Sequence, residues 1–415
     1  MRIVVLGGGV IGAASAYWLM RDGHQVDLVE RREAAGLETS WGNGAVIHVS
    51  SVEPWSAPGV PLQVMRWIGK EEAPFLLRLG ALPHMWRWGL SFLLNCSPTR
   101  HRENAKANLE LALLSARSMA EIREHTGIQY DYARACVMKT FTSSVSLAAA
   151  TAAHHAMSPF GLVTETLDVA ACVEREPALA AAKDRLAGGL YFPQDEIGDC
   201  PKFSQGLTAW CAERGANLHF GTTVEKVELT NNRVTGVLTS KGRLAADAVV
   251  VALGSFSPLL LREFGLKLPI YPIKGVSLTA PRRLWEGAVS NAVLDDAGHY
   301  ALTPVGDRLR AVGTAEISNY DATPDPARIK ALVDAVCILF PAFRDVARSP
   351  EAVSWAGLRP YMPDGRPLVG GTAVTGLYLN TGHGHTGWTM AAGSGRRLAE
   401  IVRGEHITDS LPTAA

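Results

Sequence analysis

Residues 380–389 read NTGHGHTGWT, so His383 and His385 stand two positions apart among glycines near the end of the chain. Two imidazoles at this spacing could bind a metal, act as a catalytic pair or support a glycine turn. A zinc site needs further ligands close by, and this segment supplies only glycines and hydroxyls. We therefore predict no metal site, and the role of the two histidines depends on what the rest of the chain binds.

A second glycine-rich segment lies at the N-terminus. A short apolar run at residues 2–6 predicts a buried strand, and GGGVIG follows at residues 7–12. Residues 13–21 have helical composition, and residues 24–30 (HQVDLVE) predict a second strand that ends in an acid. This strand–turn–helix–strand order predicts a dinucleotide-binding βαβ unit.

Each glycine of this turn has a physical role. Gly7 permits the bend, Gly9 allows the backbone to approach a pyrophosphate, and Gly12 allows the helix to pack closely on the strand. The helix that starts near Val10 directs its N–H groups and positive dipole end at the phosphates. Glu30 can bind both ribose hydroxyls and disfavours a 2′-phosphate, which argues against NADP.

The remaining segments favour a flavin over a nicotinamide cofactor. Residues 248–254 (AVVVALG) predict a buried strand, and a C-terminal strand, glycine turn and helix supply a second helix N-terminus. A dinucleotide with a bulky redox ring needs such a second anchoring point. Strand and hairpin patterns after residue 217 predict an antiparallel-sheet domain beside the nucleotide-binding one.

Composition limits the function classes. A length of 415 residues predicts two domains, and equal numbers of acidic and basic residues argue against a nucleic-acid partner. The six cysteines form no Cys-x-x-Cys pair, which is typical of buried cytosolic thiols. No uncharged run is long enough to span a membrane, so we expect a cytoplasmic protein.

Many short motifs in order resemble the D-amino acid oxidase superfamily of flavoproteins, and most closely its bacterial D-amino acid dehydrogenases. The motifs run the whole length and include VVLGGGVIGAASAYWL, LETSWGNGA, PWSAPGVPL, VVALGSFS, YPIKG, VGTAEI, WAGLRPYMPDGRPLVG and NTGHGHTGWTMAAGSG. The resemblance implies an α/β fold of mixed α+β type, with a Rossmann-like FAD-binding domain and a discontinuous antiparallel-sheet substrate domain. It implies FAD-binding segments 1–60, 160–262 and 352–415, and substrate-binding segments 61–159 and 263–351 with a helical insert.

The resemblance also assigns residues. It implies non-covalent FAD held by Gly7, Gly9, Val10, Ile11, Gly12, Glu30, Arg31, Thr39, Ser40, Asn43, Gly44, Ala45, Val224, Ala252, Gly254, Gly384, His385, Thr386, Gly387, Trp388 and Thr389. Arg359 matches the arginine that the superfamily uses for the substrate carboxylate, a role that suits a planar bidentate guanidinium. Tyr271 and His385 are the further candidates for substrate contact.

Three positions depart from the dehydrogenase pattern. Val46 stands where a glutamine is expected, Val276 where an aromatic residue is expected, and His385 where a small polar residue is expected. All three fall in stretches that the resemblance brings to the flavin ring or the substrate. They argue against a simple preference for D-alanine.

The implied reaction is FAD-dependent dehydrogenation of a D-amino acid, with a hydride passing from Cα to flavin N5 and electrons then passing to a quinone-type acceptor. Within the superfamily, oxidation of a cyclic D-imino acid such as D-proline and a sarcosine- or glycine-type oxidase stay open. A non-enzymatic dinucleotide-binding subunit and a nicotinamide dehydrogenase are the alternatives from other classes.

Residues 61–96 and the stretch just before them are rich in tryptophan. Trp55, Trp67, Trp86 and Trp88 alternate with basic residues, as in amphipathic helices that lie in a membrane interface. Such docking would bring the protein to the inner face of the cytoplasmic membrane as a peripheral protein. A helical lid or a subunit contact is the alternative.

Overall fold

The computed structural model describes residues 1–67, 73, 75–134 and 137–405. Its strands, in chain order, are β1 (Arg2–Leu6), β2 (Gln25–Val29), β3 (Val46–Ile47), β4 (Phe75–Leu77), β5 (Ala133–Arg134), β6 (Val137–Phe141), β7 (Glu165–Leu167), β8 (Gly188–Tyr191), β9 (Glu196–Ile197), β10 (Asn217–His219), β11 (Val224–Thr230), β12 (Arg233–Thr239), β13 (Gly242–Ala245), β14 (Ala248–Val251), β15 (Tyr271–Pro281), β16 (Ala292–Asp295), β17 (Tyr300–Val305), β18 (Arg308–Ile317), β19 (Val353–Tyr361), β20 (Leu368–Gly371) and β21 (Leu377–Thr381).

The α-helices, in the same order, are α1 (Val10–Arg21), α2 (Val60–Trp67), α3 (Leu82–Asn95), α4 (Pro98–Thr126), α5 (Ser144–Met157), α6 (Val169–Arg175), α7 (Cys200–Ala212), α8 (Ser257–Leu261), α9 (Pro326–Leu339), α10 (Phe343–Arg348) and α11 (Gly387–Val402).

The first sheet has six strands in the order β10-β2-β1-β14-β21-β20. All neighbours run parallel except β20, which runs antiparallel to β21. The carboxyl ends of β1, β2, β14 and β21 therefore meet at one edge of the sheet. In open sheets of this kind, ligands bind outside that edge.

Alternation along the strands gives this sheet two buried faces. Ile3 and Val5 belong to a core formed with α1, α7 and α11, whereas Val4 and Leu6 belong to a core formed with the hairpin strands β11 to β13. Because side chains of a strand alternate between faces, a continuous apolar run is what a strand covered on both sides requires. The run of residues 2–6 predicted this burial.

The second sheet has nine strands in the path β19-β15-β18-β17-β16-β6-β8-β7, with β4 paired to β18. Most pairs are antiparallel, and one face packs on α9 and α10 through Leu278, Leu302 and Val336. β3, β9 and β5 form a separate, short three-stranded sheet in that order.

The predicted mixed α/β fold is confirmed, and α1 and α11 form where helices were predicted. The sheets depart from the predicted segments at three strands. β7, β8 and β19 belong to the nine-stranded sheet, although segments 160–262 and 352–415 were predicted for FAD binding. The division into two domains stays a prediction.

Across the described part of the chain, no helix is both long enough and apolar enough to cross a bilayer.

Candidate functional site

A cavity of about 1070 Å³ opens at the carboxyl edge of the six-stranded sheet and extends along the nine-stranded sheet. Its walls include Gly7 after β1, Glu30 after β2, Ala252 after β14 and Gly382 after β21. On the other side they include Gly275 of β15, Thr314 of β18 and Arg359 of β19. The volume is at the upper end of the roughly 300–1,000 Å³ typical of small-molecule sites.

The glycine turn closes one end of this cavity. Gly7 has a φ of 104°, and a Cβ there would lie 2.6 Å from the carbonyl oxygen of Ala252. A Cβ on Gly12 would lie 1.8 Å from the carbonyl oxygen of Gly7, so both positions need glycine for the fold itself. A Cβ on Gly9 would meet only the Ser40 hydroxyl, at 3.5 Å. Gly9 lines the cavity, so its missing side chain leaves room for a ligand rather than for the protein.

Glu30 is held rigidly beside this turn. Its Oε2 accepts a hydrogen bond from the Gly8 amide at 2.7 Å, and its Oε1 accepts one from the Arg32 amide at 2.8 Å. Burial raises the pKa of the carboxyl, and the two amide bonds oppose that rise. The carboxylate keeps free lone pairs on the cavity side, as a ribose diol requires.

The part of the cavity where adenine is expected carries Arg31 and Val224 together with residues that the sequence did not predict. The Arg31 guanidinium lies 4.2 Å from the ring centre of Phe256 and donates to Glu38 at 2.8 Å. Phe256 and Leu259, which follow β14, line the same region. An apolar surface after the third strand is a suitable wall for an aromatic base.

The segment from Thr39 to Ala45 covers the turn. The Ser40 hydroxyl accepts a hydrogen bond from the Val10 amide at 3.1 Å, at the start of α1. Asn43 Oδ1 accepts from the Ala45 amide at 2.9 Å and so stabilises Ala45 at a φ of 58°. Thr39, Ser40, Asn43 and Gly44 line the cavity, whereas Ala45 is fully buried behind them.

Residues 380–389 form the opposite wall. Gly382 and Gly384 have φ values of 81° and 56°, which bend the chain from β21 into α11. Within the described residues, neither ring nitrogen of His383 has a hydrogen-bond partner, although the side chain is buried, and burial lowers its pKa to about 3. The start of α11 at Gly387 and Trp388 reaches the cavity and presents the positive end of the helix dipole to it.

Arg359 lies deep in the cavity wall. Its Nη1 donates to the carbonyl oxygen of Thr314 at 3.0 Å, and its guanidinium crosses Gly275, where a Cβ would lie 2.2 Å from Nη1 and Nη2. No carboxylate in the described residues forms an ion pair with it. Burial lowers the pKa of Arg359 to about 10, so the group stays charged at neutral pH. A half-buried guanidinium without a carboxylate partner in the described residues is suited to binding an anionic ligand.

Rings surround this guanidinium. His385 stacks on Trp55 with ring centres 4.9 Å apart, and His48 lies 6.4 Å from His385. Burial lowers the pKa of His385 to about 3, with the positive charges of His48 and Arg359 adding to the effect. Burial likewise lowers the pKa of His48 to about 4. Both imidazoles are therefore neutral at physiological pH.

Four predicted cofactor residues stand behind the wall rather than in it: Gly12, Ala45, Thr386 and Thr389. Thr386 Oγ1 donates to the His383 carbonyl at 2.9 Å, and Thr389 Oγ1 accepts from the His48 amide at 3.1 Å. These bonds fix the shape of the turn. The other predicted residues line the cavity: Gly7, Gly9, Val10, Ile11, Glu30, Arg31, Thr39, Ser40, Asn43, Gly44, Val224, Ala252, Gly254, Gly384, His385, Gly387 and Trp388.

Tyr271 needs a correction as a candidate for substrate contact. It does not line the cavity, its hydroxyl donates to Asn319 Oδ1 at 2.6 Å, and its ring packs on Trp88. Tyr271 is two residues from Ile273, which pairs with Arg359, so its side chain lies on the same face of the sheet as Arg359 but further along the strand. The hydroxyl is thus satisfied within the protein, as is usual for a buried tyrosine.

Sequence analysis did not identify His48, Trp55 and Thr314 as site residues. Trp55 was interpreted only as part of a tryptophan-rich segment. Thr314 has a φ of 61°, which is rare for a β-branched residue and turns its carbonyl toward Arg359. No local sequence pattern predicts the contact between Thr314 and Arg359. Val46 and Val276, two of the three departures from the family pattern, do line the cavity.

Within the parts of the chain that the structure covers, no three His, Cys, Asp or Glu side chains converge in a way that could hold a metal ion. The cavity instead combines a glycine turn without an obstructing side chain, a carboxylate that can accept from a diol, and the N-termini of α1 and α11. These features suit an extended dinucleotide with a ring system at the Arg359 end.

The family model described as FAD dependent oxidoreductase (DAO) matches residues 2–401. A D-amino acid dehydrogenase of Cereibacter sphaeroides is 44% identical over 97% of this chain and 92% of its own. A D-amino acid dehydrogenase of Dechloromonas aromatica is 43% identical over 99% of both chains.

Solved structures share the fold at lower identity. The L-proline dehydrogenase of P. horikoshii superposes with a TM-score of 0.76 at 20% identity over 98% of this chain and 94% of its own. The glycine oxidase of Geobacillus kaustophilus superposes with a TM-score of 0.75 at 24% identity over 100% of this chain and 98% of its own. The chain therefore belongs to the DAO family of FAD-dependent oxidoreductases.

Proposed function

We propose that this protein is an FAD-dependent dehydrogenase of D-amino acids. It oxidises the bond between Cα and nitrogen, and water then converts the imino acid into a 2-oxo acid and ammonia. Relatives named D-amino acid dehydrogenase, which are 43–44% identical over at least 97% of the chain, support this proposal. FAD, when bound, supplies the acceptor for the hydride that leaves Cα.

The observation that carries the proposal is the unbalanced charge of Arg359 in the cavity wall. The bond to the Thr314 carbonyl and the close approach of Gly275 hold the guanidinium in one plane. A carboxylate can dock on that plane through two parallel hydrogen bonds, which fixes the orientation of Cα. The amino-acid carboxylate supplies the negative charge that the protein does not.

The neutral histidines beside Arg359 suit the amine of the same substrate. His385 and His48 add no second positive charge near neutral pH, because burial keeps their pKa values at about 3 and about 4. A neutral imidazole nitrogen can accept a hydrogen bond from an amine N–H. The wall therefore tolerates an amine next to a carboxylate without repelling it.

Anaerobic reduction of the flavin tests the substrate class. The holoenzyme is mixed with D-alanine, D-phenylalanine, D-proline, their L-enantiomers, glycine and sarcosine, and the loss of flavin absorbance near 450 nm is followed. We expect fast bleaching by D-amino acids and none by the L-enantiomers. Bleaching only by glycine and sarcosine, or by no amino acid, would contradict the proposal.

We also propose a quinone-type electron acceptor, reached by peripheral contact with a membrane. Within residues 61–96, seven apolar side chains of α2 and α3 are 43–63% exposed: Leu62, Met65, Leu82, Trp86, Leu90, Leu93 and Leu94. Met85, Trp88 and Phe92 of α3 are buried on the opposite side. The amphipathic character supports an interfacial helix, although residues 68–72 and 74 of this segment lie outside the described residues.

Two measurements test the acceptor and the contact. Turnover with a soluble quinone analogue should exceed peroxide formation in air, whereas fast peroxide formation would indicate an oxidase. Sedimentation with vesicles of mixed neutral and anionic phospholipid should fall severalfold in a Leu90→Ser, Leu94→Ser double variant. Val145→Ser, which alters an exposed residue of α5, should sediment like the unaltered protein.

A further inference from the structure

Trp55 and Trp86 belong to the same tryptophan-rich segment but occupy different environments. Trp86 is 59% exposed on α3, whereas Trp55 lies in the loop between β3 and α2 and lines the cavity. The prediction of a membrane-facing role for this tryptophan-rich segment thus does not describe Trp55. Its position inside the site suggests a role toward the substrate.

The ring distances show how Trp55 is oriented. Its ring centre lies 4.7 Å from Tyr361 and 4.9 Å from His385, with interplanar angles of 20° and 18°. Two rings on opposite faces of an indole would lie roughly 7 Å apart or more, because stacked carbon atoms are about 3.5 Å apart. Tyr361 and His385 are only 5.9 Å apart. They therefore lie side by side on one face of Trp55 and leave the other face for the cavity.

The backbone around Trp55 is fixed. The Trp55 amide donates to the Tyr361 hydroxyl at 2.7 Å, and Nδ1 of His101 lies 3.0 Å from the carbonyl oxygen of Ser56. Pro54 and Ser56 on either side are buried. The indole is thus a rigid wall, since its base is tied to β19 and to α4.

This wall stands next to the carboxylate site. The Arg359 guanidinium carbon lies 5.7 Å from the Trp55 ring centre. A carboxylate bound to Arg359 brings the α-carbon of the same molecule within contact distance of the indole. Val60, Phe75 and Ala315 belong to the same apolar cluster as Trp55 and also line the cavity.

We propose that Trp55 is a specificity-determining residue whose free face contacts the substrate side chain and favours amino acids with an apolar side chain larger than methyl. This inference rests on the proposed function, because it needs the carboxylate of an amino acid on Arg359. The indole contributes apolar contact area and, for a ring-bearing substrate, ring stacking. Polar and charged side chains lose solvation against this wall without gaining a partner.

The test compares Trp55→Phe and Trp55→Ala with the unaltered holoenzyme on glycine, D-alanine and D-phenylalanine. The measured quantity is kcat/KM, or the inhibition constant for a compound that does not turn over. We expect Trp55→Ala to lower kcat/KM for D-phenylalanine roughly tenfold or more and to leave glycine within about twofold, with D-alanine between them. Trp55→Phe should retain most of the preference, because it keeps a ring at the wall.

Trp86→Phe is the matched control, and it should change none of the three values with a soluble acceptor. An equal loss for all three compounds would overturn the proposal, because it would indicate contact with the amine or a general positioning effect. An unchanged D-phenylalanine value would overturn it as well. Failure of the proposed function looks different: the unaltered enzyme would then be reduced by no amino acid. In that case perturbation of the flavin spectrum by acetate and phenylacetate still shows whether Trp55→Ala weakens the ring-bearing ligand selectively.

Discussion

At the scale of residues, Arg359 contributes a positive charge to the site, whereas the three histidines are neutral near physiological pH. Arg359 keeps a positive charge in the wall without a carboxylate partner in the described protein, while burial holds the pKa of His48, His383 and His385 far below its usual range. A low-dielectric setting strengthens any interaction with that one charge. Anion binding is therefore concentrated on a single side chain.

Replacing Arg359 tests this concentration. Arg359→Met should raise KM for the amino-acid substrate about 100-fold or more, and Arg359→Lys about tenfold, since an ammonium gives a point charge without the planar pair of donors. Steady-state kinetics on both variants, together with the FAD-to-protein ratio, measure the effect. A KM that stays within twofold in Arg359→Met would show that the carboxylate binds elsewhere.

The buried carboxyl of Asp195 leads to a second prediction, which concerns the pH dependence of the free energy of unfolding. This fully buried carboxyl accepts from the Ser50 hydroxyl and from the Ser50 amide, the latter at 3.1 Å, and burial raises its pKa to about 7. A group whose pKa is higher in the folded state binds more protons there than in the unfolded chain. The free energy of unfolding therefore falls as pH rises from about 4 to about 7, by roughly 1–4 kcal/mol from this group.

Asp195→Asn should remove that part of the pH dependence. Its amide can donate to the Ser50 hydroxyl as the protonated acid does, so stability at pH 5 should be nearly unchanged while stability at pH 8 rises. Urea unfolding of the holoenzyme at both pH values measures this. Asp307→Asn is the control, because its side chain is 95% exposed. Equal stability changes at pH 5 and pH 8 in Asp195→Asn would contradict the assignment.

At the scale of elements, the sequence predicted what local patterns encode. The strand–turn–helix–strand order of residues 2–30, the glycine turn and α11 all follow from periodicity and turn residues within one short window. β19, which carries Arg359, was not predicted, because Gly357 and Pro360 interrupt its pattern. The strand still forms because it is an edge strand that pairs with β15 alone, where a proline is tolerated.

Contacts between distant parts of the chain could not be predicted from the residues alone. Trp55 meets Tyr361 and His385 across about 300 residues, and no local pattern records that proximity. The same holds for Thr314 and Arg359, whose contact depends on the register of β18, β15 and β19. The family resemblance predicted the role of Arg359 but not the residues that contact it.

The glycine turn between β1 and α1 gives the prediction at this scale. Gly9→Ala should fold normally, because its Cβ would contact only the Ser40 hydroxyl at an ordinary distance, but it should weaken FAD binding about tenfold or more by intruding on the pyrophosphate. Gly7→Ala should destabilise the protein itself, since its Cβ would collide with Ala252 and its φ is positive. Titration of the apoprotein with FAD and thermal unfolding without FAD separate the two effects.

Gly23→Ala is the control for that pair. Gly23 also has a positive φ, but no atom lies within 4 Å of its Cβ position and it does not line the cavity. It should cost about 1 kcal/mol of stability and leave the FAD dissociation constant unchanged. If Gly9→Ala bound FAD as tightly as Gly23→Ala, the turn would not be the pyrophosphate site.

At the scale of the whole molecule, the cavity connects the two large sheets. Its walls take Gly7, Glu30 and Ala252 from the edge of the six-stranded sheet and Gly275, Val312 and Arg359 from the nine-stranded sheet. α11 and the segment from Thr39 to Ala45 reach the same cavity from other parts of the chain. A cofactor that fills the cavity contacts elements of both sheets.

FAD should therefore stabilise the protein as a unit. A ligand that binds only the folded state adds about 2.7 kcal/mol to the free energy of unfolding at 100 times its dissociation constant. We expect removal of FAD to lower Tm by several degrees. Near-UV and far-UV circular dichroism should then be lost at more widely separated temperatures than in the holoenzyme, because the two sheets lose a shared ligand. In the holoenzyme, the increase in flavin fluorescence that reports FAD dissociation should coincide with the loss of both circular dichroism signals. Flavin release well before any loss of secondary structure would contradict the prediction that bound FAD couples the unfolding of the two sheets.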